Sequence, residues 1–250
     1  MKKYHILVVL FLAILFTSCE KNGEMIIKPI QKIMPFNIKG FVIGDTLEQY
    51  FDGRKIREFS AWSKYDGKIV FDSDAPILME IKRKGDSKAL LSQTITQDRP
   101  NPEQYITFYY ADKVIKEKYT HPAPIANLEQ ISFYFASSVN MPVDIVYADA
   151  SGDINAVTYL ARNVQSNKWI DFLQIPPLNS NGQDLYVFLL KAGTKEWLVD
   201  NNFELSYIQA NLPVDGGWYQ GGGVQAIYIQ ISKDGKPGLS AVNDLVSTFQ

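Results

Sequence analysis

The chain has 250 residues and a formal charge of −2, from 25 Lys and Arg against 27 Asp and Glu. Its basic residues are scattered, which excludes the concentrated positive surface that nucleic-acid binding needs. A single cysteine rules out a disulfide within the chain, and with only two histidines it leaves too few ligands for an ordinary zinc site.

Lys2 and Lys3 precede an unbroken apolar run over residues 6–16 (ILVVLFLAILF), and Thr17-Ser18-Cys19 closes it with small residues. This is the layout of a secretory signal peptide. The run is too short to cross a bilayer, which takes about 20 residues. The cysteine at the cleavage point resembles a bacterial lipobox. Residues 1–18 are therefore expected to be removed, and Cys19 to be lipidated as the first residue of the mature protein. Residues 19–28 read as a lipidated tether, and the expected location is the cell envelope, anchored to the outer membrane with the facing side open.

Beyond the tether, apolar and polar residues alternate with a period near two, broken by turn signals every eight to twelve residues, the pattern of an all-β sandwich or barrel. A first strand begins around Phe36 and Ile38. Residues 47–51 and 54–58 flank Asp52-Gly53, a dipeptide suited to a two-residue type I′ hairpin. Asp66-Gly67 is expected to turn the chain again. Ile77, Met79 and Ile81 alternate with polar or outward residues, Gly85-Asp86-Ser87 turns into 89–95, and YITFYY (105–110) closes the series.

Two prolines within residues 120–124 (THPAP) favour an extended link. A second series follows: Ile131, Phe133 and Phe135; Val143, Ile145 and Tyr147; a turn at Ser151-Gly152; strands over 169–175, 186–191 and 196–199; and VQAIYIQI over 224–231. Residues 69–95 match 170–200 in pattern, and 105–110 match 226–231, which suggests a diverged duplication. The expected architecture is two tandem immunoglobulin-like β-sandwich domains, 29–120 and 121–250, each burying its own apolar faces with few contacts crossing the link. Residues 239–250 fit a helix or an edge strand equally well.

Val143-Asp144-Ile145-Val146-Tyr147 has its counterpart in Leu47-Glu48-Gln49-Tyr50-Phe51-Asp52-Gly53. This strand type, followed by a glycine turn, resembles the repeats of uncharacterised Bacteroidota-type lipoproteins with tandem immunoglobulin-like or transthyretin-like sandwiches. The second copy lacks the Asp-Gly dipeptide and has Ala148-Asp149-Ala150-Ser151-Gly152 instead. The resemblance implies a β-sandwich lipoprotein and brings no active site with it.

Catalytic residue types are sparse. His121, the one histidine of the mature chain, lies in the proline-bounded link, a poor place for the base of a Ser-His-Asp triad. No G-x-S-x-G elbow occurs. Asp72 with Asp74, and Asp149 with Asp153, could serve as paired carboxylates or calcium ligands, but acids beside Ser and Gly more often form turns. No enzyme activity, cofactor or metal is expected. The aromatic residues carry the functional reading. Trp218-Tyr219 sits between Gly216-Gly217 and Gly221-Gly222-Gly223, where the rings either stack on a ligand or fold back over an open sandwich end. Trp62, in a polar segment, is a third candidate ligand contact, while Trp169 and Trp197 fit strands and the core. The leading expectation is a non-catalytic lipoprotein that binds a glycan or protein. A structural subunit of an envelope or pilus-like assembly is the alternative, and a carboxylate-dependent hydrolase comes third.

Overall fold

The computed structural model describes residues 30–138, 140–215, 221–232 and 238–250. Cys19 with the signal and tether segments, and Trp218 with Tyr219, lie outside the described residues.

The fold is all-β. In the N-terminal half, β1 (Lys32–Phe51), β2 (Arg54–Phe71), β3 (Ile77–Arg83), β4 (Ala89–Ile95), β5 (Ile106–Ala111) and β6 (Val114–Lys116) join in one six-stranded sheet. Asp52 (φ 48°) and Gly53 (φ 77°) make the β1–β2 hairpin turn, since two positive φ values match the twist of the flanking strands. Asp66-Gly67 is not a turn. Both residues lie inside β2, paired with Asn37 and Phe36, because the long alternating run of β1 offers a continuous partner and cross-strand packing outweighs the dipeptide's local preference.

The corner of this half lies in β1. Val42 pairs with Ala61, yet the next pair is Leu47 with Phe59, so residues 43–46 stand opposite Ser60 alone. Extra residues on one strand bend it and increase its twist. The strand then returns over itself, and the Phe51 ring meets that of Phe36 edge-on at 5.1 Å. Ile38, Leu47, Phe59, Met79, Ile81 and Phe108 are buried between the two layers so formed.

The C-terminal half builds the same plan from separate strands. One sheet runs β10 (Leu173–Ile175), β7 (Glu129–Ala136), β13 (Val224–Ile231), β14 (Leu239–Asp244). The other runs β12 (Tyr207–Ile208), β11 (Tyr186–Lys191), β8 (Val143–Ala148), β9 (Thr158–Val164). In the N-terminal half the first part of β1 lies between β2 and β5, and its last part between β2 and β3. β7 and β8 therefore stand where β1 is continuous, and β10 and β9 where β2 is. The parallel pair β1·β5 recurs as β7·β13. This correspondence agrees with the matching segments 69–95 and 170–200. The strand expected at 196–199 is reduced to a bridge between Trp197 and Leu190.

At the C-terminus both open alternatives occur in succession. β14 ends at Asp244, whose carboxylate accepts from Val246 N and Ser247 N and caps the short helix α1 (Leu245–Phe249).

Between the sheets of the C-terminal half lie Ile131, Phe133, Phe135, Ile145, Leu189 and Ile229. The packing also crosses between halves, contrary to the expectation of few contacts there. Phe41, Ile43 and Tyr109 form one buried cluster with Tyr134, Tyr228 and Leu245. The outward faces of β1, β5, β7 and β13 are aromatic, so each half leaves a second apolar face that only the other can cover.

Polar side chains are also buried, Gln49 among them. Gln49 is fully buried on β1, and neither its Oε1 nor its Nε2 has a hydrogen-bond partner among the described residues. An unpaired buried amide costs about 1–3 kcal/mol. Gln49→Met, of similar volume, is expected to raise unfolding stability by about that amount in urea titration; an unchanged midpoint would show that the amide is satisfied in solution.

Candidate functional site

The junction between the halves opens at one side into a cleft of about 570 Å³. Its N-terminal wall is the β1–β2 corner, Gly44, Asp45 and Thr46 with Ser60 and Ala61. Gly44 (φ 74°) and Ala61 (φ 51°) both hold left-handed backbone there, the geometry by which a bulge re-aims side chains. The opposite wall is the equivalent corner of the C-terminal half, Ala136, Ser137 and Ser138, with Asn167. Asn167 fastens that wall to the end of β7: its Oδ1 accepts from Ser137 N at 3.1 Å, and its Nδ2 donates to Ser137 O at 2.8 Å.

Tyr134, Tyr228 and Gln230 line the cleft from the β7–β13 ladder. The two tyrosine rings stack at 5.5 Å with an interplanar angle of 20°. They are 7 % and 4 % exposed, so their faces are consumed by packing. Burial pushes the Tyr134 phenol up to about 12 and that of Tyr228 upward; both hydroxyls stay protonated at neutral pH. Tyr228 OH lies 3.4 Å from Gln230 Oε1.

Asp45 is the one charged side chain lining the cleft among the described residues. Its Oδ1 accepts from Thr46 N at 2.9 Å and its Oδ2 from Tyr110 OH at 3.1 Å, with Arg83 Nε 3.9 Å away. These contacts hold the carboxylate in place, and each oxygen retains capacity for a further donor.

Behind the cleft the junction is closed by aromatic contacts. Trp169 Nε1 donates to Tyr109 OH at 2.9 Å, and Phe41 meets Tyr228 edge-on at 5.0 Å. Trp62 is half-buried at this junction, its ring edge-on to Phe249 at 6.3 Å; it does not line the cleft, although its neighbour Ala61 does. Trp169 is half-buried at the junction, and Trp197 packs in a cluster with Phe188 and Val146.

The other candidate residues have structural partners. Asp149 accepts from Ser151 N and Asp153 from Asn155 N, both across turns; the Ser151 contacts hold the Asp149 carboxyl below its usual range. His121 is exposed, with Nδ1 2.9 Å from Pro122 O. The repeated strand acid is structural in both copies. Asp144, 2 % exposed, accepts from Asn163 N at 2.6 Å and Gly193 N at 3.0 Å, and Glu48 accepts from Lys55 and Tyr50. Among the described residues, no three His, Cys, Asp or Glu side chains cluster in a way that could hold a metal ion.

No family model matches this chain, and no curated protein matches it. Among solved structures, it is similar to CBMbc (family CBM26) from Eubacterium rectale Amy13K in complex with maltoheptaose, at 11% identity and a TM-score of 0.24, covering 84% of this chain and 96% of that one. Likeness at that level supports no inference about the site.

Proposed function

We propose that the protein is a non-catalytic binding module held in the cell envelope by a lipid on Cys19, with a glycan or another protein as its ligand. The observation that supports this reading is the cleft between the halves, a concave site of about 570 Å³, within the usual size of ligand pockets. Its walls come from two segments distant in sequence, and among the described residues its polar groups are neutral apart from Asp45. In this reading residues 29–120 and 121–250 are two sandwich repeats, and Trp218 and Tyr219 form an additional contact surface beyond Asp215.

Two measurements test the proposal. Cys19→Ala is expected to move the protein from the membrane to the soluble fraction, since stable attachment needs more than one acyl chain; retention on membranes after a high-salt wash contradicts the anchor. The purified full chain is expected to capture a defined ligand on a glycan array or from an envelope protein extract. A protein that binds neither and assembles through its own strand edges is instead a structural subunit.

A further inference from the structure

The cleft also restricts the chemistry of its ligand. Among the described residues no Lys or Arg lines it, and Arg83, 3.9 Å from Asp45, is already engaged with that carboxylate, which disfavours a phosphate, sulfate or uronate. One carboxylate among the described residues is too little for a divalent cation, which takes six or more oxygen ligands or a dedicated cluster. An apolar ligand fits no better, because the walls carry the hydroxyl residues Thr46, Ser60 and Ser138, and the aromatic faces of Tyr134 and Tyr228 are turned into packing. What remains is a neutral ligand rich in hydroxyl groups, each able both to donate and to accept.

We infer that the cleft takes a neutral carbohydrate chain, with the Asp45 carboxylate accepting its hydroxyl groups. This rests on the reading of the protein as a binding module and assigns that module's site and ligand class. Asp45 suits the role because its position is fixed before a ligand arrives: Thr46 N and Tyr110 OH already hold one oxygen each, so little side-chain freedom is lost on binding. Thr46, Ser60 and Ser138 add hydroxyls to the walls, a group that can meet either a donor or an acceptor. The site needs both halves, because the β1–β2 corner supplies the carboxylate and the β7–β8 connection the facing serines.

The test uses the full chain in mild detergent on an array of neutral, sulfated and uronate-containing oligosaccharides, followed by calorimetry with the best neutral binder. Neutral chains are expected to bind and anionic ones not. Asp45→Asn should weaken binding by about tenfold or more, the loss expected for a hydrogen bond to a charged group. Ser60→Trp and Ser138→Trp, each at an exposed position on opposite walls, should each abolish binding with an unchanged melting temperature. Neutral-glycan binding that survives both tryptophan variants overturns this site but leaves the binding-module reading intact. Binding of anionic glycans or a protein alone overturns the ligand class. Absence of any ligand overturns both.

Discussion

Gly40→Ala is expected to destabilise the protein by about 3 kcal/mol or more, the upper part of the range for overpacking a filled core. Gly40 lies in β1 between Ile38 and Val42, on the face that packs inward, and opposite Phe108 in the parallel β1–β5 ladder. The Phe108 ring occupies the space that a side chain at this position would fill, and an added Cβ would fall well inside van der Waals contact with three of its ring atoms. Backbone conformation is not the constraint, because Gly40 does not hold positive φ. Any shift of the ring disturbs other core contacts, since Phe108 is fully buried and also meets Phe59 edge-on at 5.0 Å. A lower melting temperature by roughly 6 °C or more is the expected readout. Phe108→Leu should recover part of the loss in the Gly40→Ala background while being destabilising alone, the coupling that residues in contact show. Additive effects of the two changes would contradict the proposed clash.

The strands that alternate cleanly were legible from sequence. The matches at 186–191 and 224–231 are complete, because a half-buried strand imposes period two on its side chains. The passage of β1 around its corner was not legible, for Gly44-Asp45 looks like a turn that ends a strand. Only the pairing of Leu47 with Phe59 beyond it shows that the strand continues. β5, β7 and β13 carried a further signal in their runs ITFYYA, ISFYFA and AIYIQI, which are apolar or aromatic on both faces. Such runs announce burial on two sides without saying which element supplies the second cover. Here the cover is the other half, through Phe41, Tyr109, Tyr134 and Tyr228.

The cleft was invisible for a related reason. Its groups are common Ser, Thr and Asn residues at positions 46, 60, 138 and 167, which form no motif and meet only when two corners are brought together. Trp218 and Tyr219 stand out by local composition, two rings between glycine runs, a signal that a single sequence does display. Trp62 shows the limit of that signal: its polar neighbourhood leaves a ligand contact and a core position equally open, and its ring is half-buried against Phe249.

Glu129→Gln is expected to stabilise the protein at neutral pH and to remove a downward slope in stability between about pH 4.5 and 6. Glu129 opens β7 and is fully buried. Its Oε1 accepts from Gln225 Nε2 at 2.8 Å, and its Oε2 has no hydrogen-bond partner among the described residues. Gln225 is itself held by the Asn211 backbone, its Nε2 donating to the carbonyl and its Oε1 accepting from the N–H. It therefore cannot move closer to serve the second oxygen. Burial pushes the Glu129 carboxyl from 4.5 up to about 6, with the Asp244 charge adding to the rise and the Gln225 contact opposing it. A carboxyl whose folded pKa is raised favours folding while protonated in both states, so this contribution is greatest below about pH 4.5. It declines as the pH climbs toward 6, where the folded protein must bury a charge, and is constant above. A shift of this size corresponds to roughly 2 kcal/mol. Glutamine keeps the acceptor for Gln225 and carries no charge at any pH, so the variant should be more stable by up to about 2 kcal/mol at pH 7 and no more stable than the parent at pH 4. Urea titrations of both proteins at several pH values decide the matter: parallel pH profiles would mean that Glu129 is not the group responsible.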